Sequence, residues 1–224
     1  MGVNLMKTFL NAIKKYFADF GTAVAKGDIW CKLSLIVMGA GYWGRKQVVK
    51  GILMTALEAI VILFTGMFSI NYIKDLNTLG TTQYESVFDP LTLKNTVNDY
   101  DNSLLILLYG IVGILVIVAF IFLYISNMKA VYRLQLMKEE GEHVNTFAED
   151  IKSLFNGKFY ITLLTLPSIG VIMMNIIPII FMSCVAFTNY DMDHMPPNYL
   201  FTWVGLRNFK NMFTGGTTIT FSYA

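Results

Sequence analysis

Charge and cysteine are scarce in this 224-residue chain, and each scarcity excludes a class of protein. Only 14% of the residues are charged, whereas 55% are hydrophobic. A soluble domain of this size normally carries a larger share of charge on its surface. The two cysteines, Cys31 and Cys184, lie far apart in the sequence. They therefore form neither a disulfide framework nor a metal-ligand spacing.

Groups that could carry out catalysis are also sparse. Asp191, Asp193 and His194 form the one cluster of carboxylates with an imidazole, and it suits a solvated turn better than a metal site. Residues 39–44 have the glycine spacing of a dinucleotide fingerprint, but the helix that follows is apolar enough to enter a membrane. No nucleophile stands beside a base. We expect no catalytic residue, no metal, no cofactor and no nucleic acid on this chain, so it is not expected to be an enzyme.

Three long stretches contain almost no charge. Residues 104–125 have none, and as a helix they span roughly 33 Å, enough for a hydrocarbon core of about 30 Å. Residues 160–187 also have none, and residues 52–70 carry only Glu58. A segment in lipid must satisfy its own backbone polar groups. The sequence therefore predicts an all-α integral membrane protein with three transmembrane helices.

The basic residues alternate between the segments that flank these helices. Residues 1–50 hold eight Lys and Arg, the loop 74–102 only two, the loop 126–159 five, and the tail after Phe187 two. Because basic residues stay in the cytoplasm during insertion, we expect the amino terminus inside and the last segment outside. The predicted organisation is a cytoplasmic head (1–47), three transmembrane helices (48–73, 103–126, 160–187), an outer loop (74–102), a cytoplasmic loop (127–159) and an outer segment (188–224).

The head begins with an amphipathic pattern. Seven apolar residues recur at helical spacing and share one face: Met6, Phe9, Leu10, Ile13, Phe17, Phe20 and Val24. Lysines occupy other parts of the helical wheel. This pattern favours a helix that lies on the inner leaflet, and the alternative is a cytoplasmic helix that packs against a partner.

Glu58 is the one ionisable residue inside a predicted span. A charge there costs at least about 2.5 to 3.5 kcal/mol, so the side chain should face protein, a polar neighbour or water. A structural hydrogen bond is favoured over a place in a substrate or proton path, because no basic partner lies within the spans. Asn175, in the third span, is a candidate polar neighbour.

The region after the third span carries a resemblance to a known family. Pro178 is followed by Phe187-Thr188-Asn189-Tyr190 and then by Val204-Gly205-Leu206-Arg207-Asn208-Phe209. These segments resemble binding-protein-dependent carbohydrate ABC transporter permeases, and most closely the larger subunit of maltose-type systems. The residues expected to serve as structural elements of this motif are Pro178, Phe187, Thr188, Tyr190, Gly205, Leu206, Asn208 and Phe209.

The resemblance implies a function and a set of partners. It implies a sugar importer in the bacterial cytoplasmic membrane that works by alternating access, with ATP and Mg bound on separate ATPase subunits. Its partners would be a second permease subunit, the ATP-binding subunits, an extracellular solute-binding protein and membrane lipid. The chain resembles the amino-terminal part of such a permease, so substrate-binding residues are expected beyond Ala224. The alternative is a three-helix membrane scaffold that recruits a partner without transporting anything.

Small residues in the second and third spans would let helices approach closely. We expect them to contact the second permease subunit. They are Gly110, Gly113, Ala119, Gly170 and Ala186.

Overall fold

The computed structural model of the chain describes residues 2–90 and 93–214. Most of these residues are helical. The helices are Gly2–Lys26, Ile29–Leu33, Ala40–Trp43, Val48–Phe64, Ile70–Asp75, Ser103–Glu139, Phe147–Phe155, Phe159–Val171, Ile177–Val185 and Arg207–Thr214. The two strands are β1, Ser86–Asp89, and β2, Lys94–Val97.

Within residues 2–90 and 93–214, three continuous helical segments are long and apolar enough to cross a membrane. We name them the first span (Val48–Asp75), the second span (Ser103–Glu139) and the third span (Phe159–Val185). The first contains a π-helical turn at Thr65–Ser69, and the third contains one at Ile172–Ile176. The three predicted transmembrane helices and the helical membrane fold are therefore confirmed.

A polar side chain marks the start of the second span, and a glycine marks its end. The Asn102 side chain accepts hydrogen bonds from the backbone amides of Leu104 and Leu105 at 3.1 and 3.3 Å, which satisfies amides that have no partner within the helix. At the other end Gly141 adopts a φ of +73°, the left-handed conformation that commonly terminates helices. The helix thus runs 37 residues, well past the apolar stretch.

The loop between the first two spans contains one short β-hairpin. Strands β1 and β2 pair antiparallel, with Ser86 opposite Val97 and Asp89 opposite Lys94. The sequence analysis did not predict these strands. Their only signal is a few β-branched and aromatic residues on either side of Pro90, because strands of four residues are too short to show a reliable alternation.

The chain divides into two compact units. We name them the head unit, which comprises the residues up to Phe64 together with Val116–Leu164, and the tail unit, which comprises Thr65–Leu115 together with the residues from Thr165 onward.

In the head unit the amino-terminal helix packs on the second span. The Tyr16 hydroxyl donates to the carbonyl of Phe122 at 2.9 Å and lies 2.7 Å from the Ser126 hydroxyl. Asp19 forms an ion pair with Lys129 at 3.4 Å. The helix therefore does pack on a partner, which is the second span of the same chain, while most of its apolar face remains exposed.

In the tail unit an apolar cluster joins the second span to the segments around it. Its buried members are Leu79, Ile106, Leu107, Ile111 and Phe201. Two glycines of the second span also lie against the end of the first span and the residue that follows it.

A Cβ on Gly110 would overlap Leu76, and one on Gly113 would press on Ser69. These two small residues therefore accommodate this chain's own helix, whereas Gly170 has open space around it.

Candidate functional site

In the head unit, Glu58 of the first span bonds to the segment that precedes this span. Its carboxylate Oε2 accepts a hydrogen bond from the backbone amide of Met38 at 2.8 Å. Asn127, on the second span, donates from its side-chain amide to the carbonyl of the same residue at 3.0 Å. Tyr124 donates to the carbonyl of Leu35 at 2.7 Å. The head segment before the first span is thus held by polar side chains of two spans.

This arrangement gives Glu58 a partner that sequence reasoning missed. The partner is a backbone amide, which no pattern of side chains reveals. Asn175, the neighbour suggested from the sequence, lies in the tail unit on the π-helical turn of the third span, and its side chain is exposed. A hydrogen bond to the Met38 amide agrees with the structural role that the sequence favours, and the alternative, a place for Glu58 in a transport path, stays a hypothesis.

The same head segment crosses the first span at a pair of glycines. A Cβ on Gly39 would overlap the Gly51 carbonyl and the Thr55 hydroxyl. A Cβ on Gly51 would overlap the Trp43 indole. The glycine-rich stretch 39–44 that resembles a dinucleotide fingerprint therefore serves close backbone packing.

A buried guanidinium organises the short helices of the head. The Arg45 side chain is only 2% exposed and forms an ion pair with Asp28 at 3.1 Å. It also donates to the carbonyl of Gly41 at 2.6 Å. Asp28 caps the helix Ile29–Leu33 by accepting from the Cys31 amide at 2.8 Å, and its own amide donates to the Gln135 side chain at 2.8 Å.

Two side chains beside this network have raised pKa values. Burial raises the pKa of the Cys31 thiol, against the opposing effect of the Arg45 charge. Burial also raises the pKa of Tyr42 to about 12, and the Asp150 carboxylate contributes in the same direction. Both groups are therefore neutral at physiological pH, and neither has the character of a reactive nucleophile.

The helix Phe147–Phe155 is attached to the start of the first span. Lys50 forms an ion pair with Asp150 at 2.9 Å, and the Gln47 side chain donates to the carbonyl of Asn145. Thr146 and Glu149 form a capping box at the amino end of the helix. The Thr146 amide, with help from His143, holds the pKa of Glu149 below its usual value.

In the tail unit the residues of the predicted motif come together. Asn208 donates to the carbonyls of Ala186 and Thr188 at 3.0 and 2.7 Å. The rings of Phe187 and Phe209 lie 5.3 Å apart. Gly205, with a φ of +59°, donates from its amide to the carbonyl of Phe187 at 3.0 Å. The two sequence segments therefore form one folded element.

Further contacts fix this element to the rest of the tail unit. Thr188 is 2% exposed and forms an isolated β-bridge with Trp203. The Trp203 indole donates to the carbonyl of Leu76 at 2.7 Å. The ring of Tyr190 meets that of Phe201 edge-on at 5.4 Å. Phe201 and Trp203 lie just before Val204 in the sequence motif that resembles the permeases, and Phe201 is fully buried.

Two remaining motif residues have simpler positions. Pro178 is near the start of the helix Ile177–Val185, directly after the π-helical turn of the third span, and it has no amide to donate to the preceding turn. Leu206 is 68% exposed. Its side chain presents an apolar surface, and the packing contacts of the motif come from neighbouring residues.

The acidic cluster after the third span is a local turn. His194 lies 2.7 Å from the Asp191 carboxylate, which lowers the pKa of that carboxyl. Asp191 also accepts from the amides of Asp193 and His194 at 2.9 Å each. Across residues 2–90 and 93–214 no group of three or more His, Cys, Asp or Glu side chains is placed to hold a metal ion.

Taken together, three apolar helices and polar contacts at their ends define a multi-span membrane protein. Three curated proteins are similar to it. The maltodextrin transport system permease protein MdxF of Bacillus subtilis is 33% identical over 81% of this chain. The maltodextrin transport system permease protein MalC of Streptococcus pneumoniae is 28% identical over 81% of the chain. The galactooligosaccharides transport system permease protein GanP of Bacillus subtilis is 30% identical over 80% of it.

These matches confirm the resemblance found in the sequence. Over this stretch the chain is a homologue of carbohydrate ABC transport permeases. The matched residues cover 39% of the length of each of these relatives. No protein-family model matches the chain, and no solved structure matches it.

Proposed function

We propose that the chain forms part of a permease subunit of an ABC importer for oligosaccharides of the maltodextrin or galactooligosaccharide type. The observation that carries this proposal is the similarity to three transport permeases with such names, which extends over about four fifths of the chain. Their names describe transport, which fits the expectation that this chain is not an enzyme. Substrate would cross by alternating access between an outward-facing and an inward-facing state.

The proposed importer places its energy source on other subunits. ATP and Mg would bind to separate ATPase subunits, an extracellular solute-binding protein would deliver the sugar, and a second permease subunit would complete the pathway. In the bacterial cytoplasmic membrane residues 1–47 and the loop 127–159 would face the cytoplasm, and the segment that follows the third span would lie outside.

The two units suggest different contributions to this machine. The Asp28, Arg45 and Gln135 contacts connect the short helices of the head unit to the second span. The folded motif from Phe187 to Phe209 gives the tail unit a fixed outer element next to the third span. We assign both to positioning the helices.

Uptake measurements test the proposed transport function. Cells that lack the gene should lose uptake of labelled maltodextrins or galactooligosaccharides, and the intact gene on a plasmid should restore it. Uptake of an unrelated solute such as an amino acid serves as the control. If the protein reaches the membrane and every oligosaccharide still enters at the normal rate after deletion, the transport proposal is wrong and the scaffold alternative is favoured.

Labelling of substituted cysteines tests the proposed topology. Met192 is 94% exposed, so Met192→Cys should react with a membrane-impermeant maleimide added outside intact cells. Lys26→Cys should react only after the cells are opened. The unsubstituted chain corrects for any reaction of Cys184. Labelling of both positions from the same side would contradict the alternation of inside and outside segments.

A further inference from the structure

The amino-terminal helix presents three different surfaces around its circumference. Tyr16 and Asp19 face the second span, and Ala23, on the same side of the helix, is fully buried. A quarter-turn or more away lies an exposed apolar stripe. Its members are Met6, Leu10, Ile13 and Phe17, which are 61%, 49%, 39% and 50% exposed. Helical spacing places these residues along one side of the cylinder.

A groove runs where this stripe meets the second span. It has a volume of about 430 Å³ and is lined mostly by apolar atoms of Ala12, Ile13, Tyr16, Phe17, Phe122 and Ser126. The one polar end is the pair of hydroxyls from Tyr16 and Ser126, and these already bond to each other. The groove therefore suits a hydrocarbon chain and offers little to a polar small molecule.

Positive charge borders the stripe on the side away from the protein. Lys7 and Lys14 are seven residues apart, so they lie above one another on the helix, and both are exposed. The helix contains a single acid, Asp19, which is already paired with Lys129. The charge that the helix shows to its surroundings is therefore positive.

We propose that this helix binds an anionic phospholipid, with an acyl chain in the groove and the phosphate between Lys7 and Lys14. Charge complementarity favours this occupant. A transmembrane helix of another subunit would cover the apolar stripe equally well, but it would gain nothing from the two lysines at its margin. An amphipathic helix with a basic margin is the usual means of binding an anionic leaflet.

Photocrosslinking in lipid nanodiscs tests this proposal. The intact protein, with a benzophenone amino acid at Leu10, is placed in discs of phosphatidylcholine alone or of equal parts phosphatidylcholine and phosphatidylglycerol. After irradiation, mass spectrometry identifies the adducts. We expect lipid adducts in which phosphatidylglycerol is enriched over its share of the bilayer. Both leaflets have the same composition, so the result depends neither on topology nor on transport.

Matched lysine variants separate specific binding from general attraction. Lys7→Gln and Lys14→Gln should each lower the ratio of phosphatidylglycerol adducts to phosphatidylcholine adducts about fivefold, because one basic residue near an anionic surface contributes on the order of 1 kcal/mol. Lys15→Gln is the control, because Lys15 is exposed on the same helix but on a different side. All three positions are on the surface, so the variants should fold, and size-exclusion profiles verify this.

Three results would overturn the proposal. The first is an adduct with protein in place of lipid. The second is a lipid adduct without preference for phosphatidylglycerol. The third is an equal loss of preference in the Lys15→Gln control. Enrichment that falls only with Lys7→Gln and Lys14→Gln would support it.

Discussion

The head unit and the tail unit are stabilised by different kinds of interaction. In the head unit, side chains far apart in the sequence meet through hydrogen bonds and ion pairs, as in the contacts of Arg45 with Asp28 and of Lys50 with Asp150. In the tail unit, an apolar cluster around Leu107 and Phe201 is supplemented by side chains that bond to backbone carbonyls.

This difference determines how much stability each unit loses when one residue is substituted. A buried charge that loses its partner is costly, because the desolvation of the remaining group is no longer compensated. A side chain that bonds to a carbonyl leaves behind a smaller penalty when it is removed. We therefore expect the head unit to be more sensitive to single polar substitutions than the tail unit.

The largest effect is expected for Arg45→Met. The substitution removes the ion pair to Asp28 and the hydrogen bond to the Gly41 carbonyl. We expect a loss of about 3 kcal/mol in the free energy of unfolding, at the low end for buried pairs because the Asp28 side chain is 38% exposed. Thermal unfolding in detergent measures it. The exposed Lys32→Ala is the control, and an equal change in both variants would contradict the special role of Arg45.

The next effect tests close packing in the head unit. Gly51→Ala places a methyl group against the Trp43 indole and the Gly39 carbonyl. Overpacking of this kind should cost about 2–3 kcal/mol. Gly66→Ala is the matched control in the same span, because nothing lies within 4 Å of a Cβ at that position. If the two variants unfold at the same temperature, the backbones do not approach as closely as described.

Two substitutions of Glu58 distinguish a structural role of this side chain from a role in transport. Glu58→Leu leaves the Met38 amide without its acceptor and should cost about 2 kcal/mol. Glu58→Gln keeps an oxygen acceptor, so both stability and oligosaccharide uptake by the assembled importer should stay near wild type. A stable Glu58→Gln protein that no longer transports would show that the carboxylate itself takes part in transport.

In the tail unit the corresponding test is Asn208→Ala. It removes the hydrogen bonds to the carbonyls of Ala186 and Thr188 and should cost about 1–2 kcal/mol. The change should appear as faster proteolysis after the third span. Asn211→Ala, on the same short helix, is the control. A loss as large as that of Arg45→Met would remove the contrast between the two units.

The smallest effect concerns the exposed capping box of the helix Phe147–Phe155. The pKa of Glu149 is lowered by the Thr146 amide and by His143. The stabilisation of the helix by the Glu149 carboxylate is therefore complete above pH 4.5, the ordinary pKa of this group, and is lost as the pH falls below it. Amide hydrogen exchange of residues 147–150, corrected for intrinsic rates, should show this fraying. Glu149→Gln should abolish the pH dependence while keeping much of the cap.

The sequence predicted the parts of the fold that depend on composition. Three stretches with almost no charge identified the spans, and the motif around Gly205 identified residues that pack together. It did not predict how far the second span extends, because charged residues return between 127 and 139 and interrupt the apolar stretch, although the helix continues.

The polar contacts of the head unit could not be predicted from the sequence either. Glu58 is bound by a backbone amide and Asp28 by the distant Gln135, and such partners leave no periodic pattern in a single sequence. Arg45 was counted only as a basic residue of the head. Its burial follows from the positions of three short segments, which local spacing does not determine.

The crossing of Gly39 and Gly51 has a consequence for how this region can evolve. Gly51 cannot gain a side chain while the indole of Trp43 stays where it is, and Gly39 cannot gain one while the Gly51 backbone stays where it is. Substitutions at these three positions are therefore linked: a larger residue at 51 requires a smaller one at 43 or a wider separation of the two backbones. Among descendants of this chain, residues 39, 43 and 51 should change together or remain as they are.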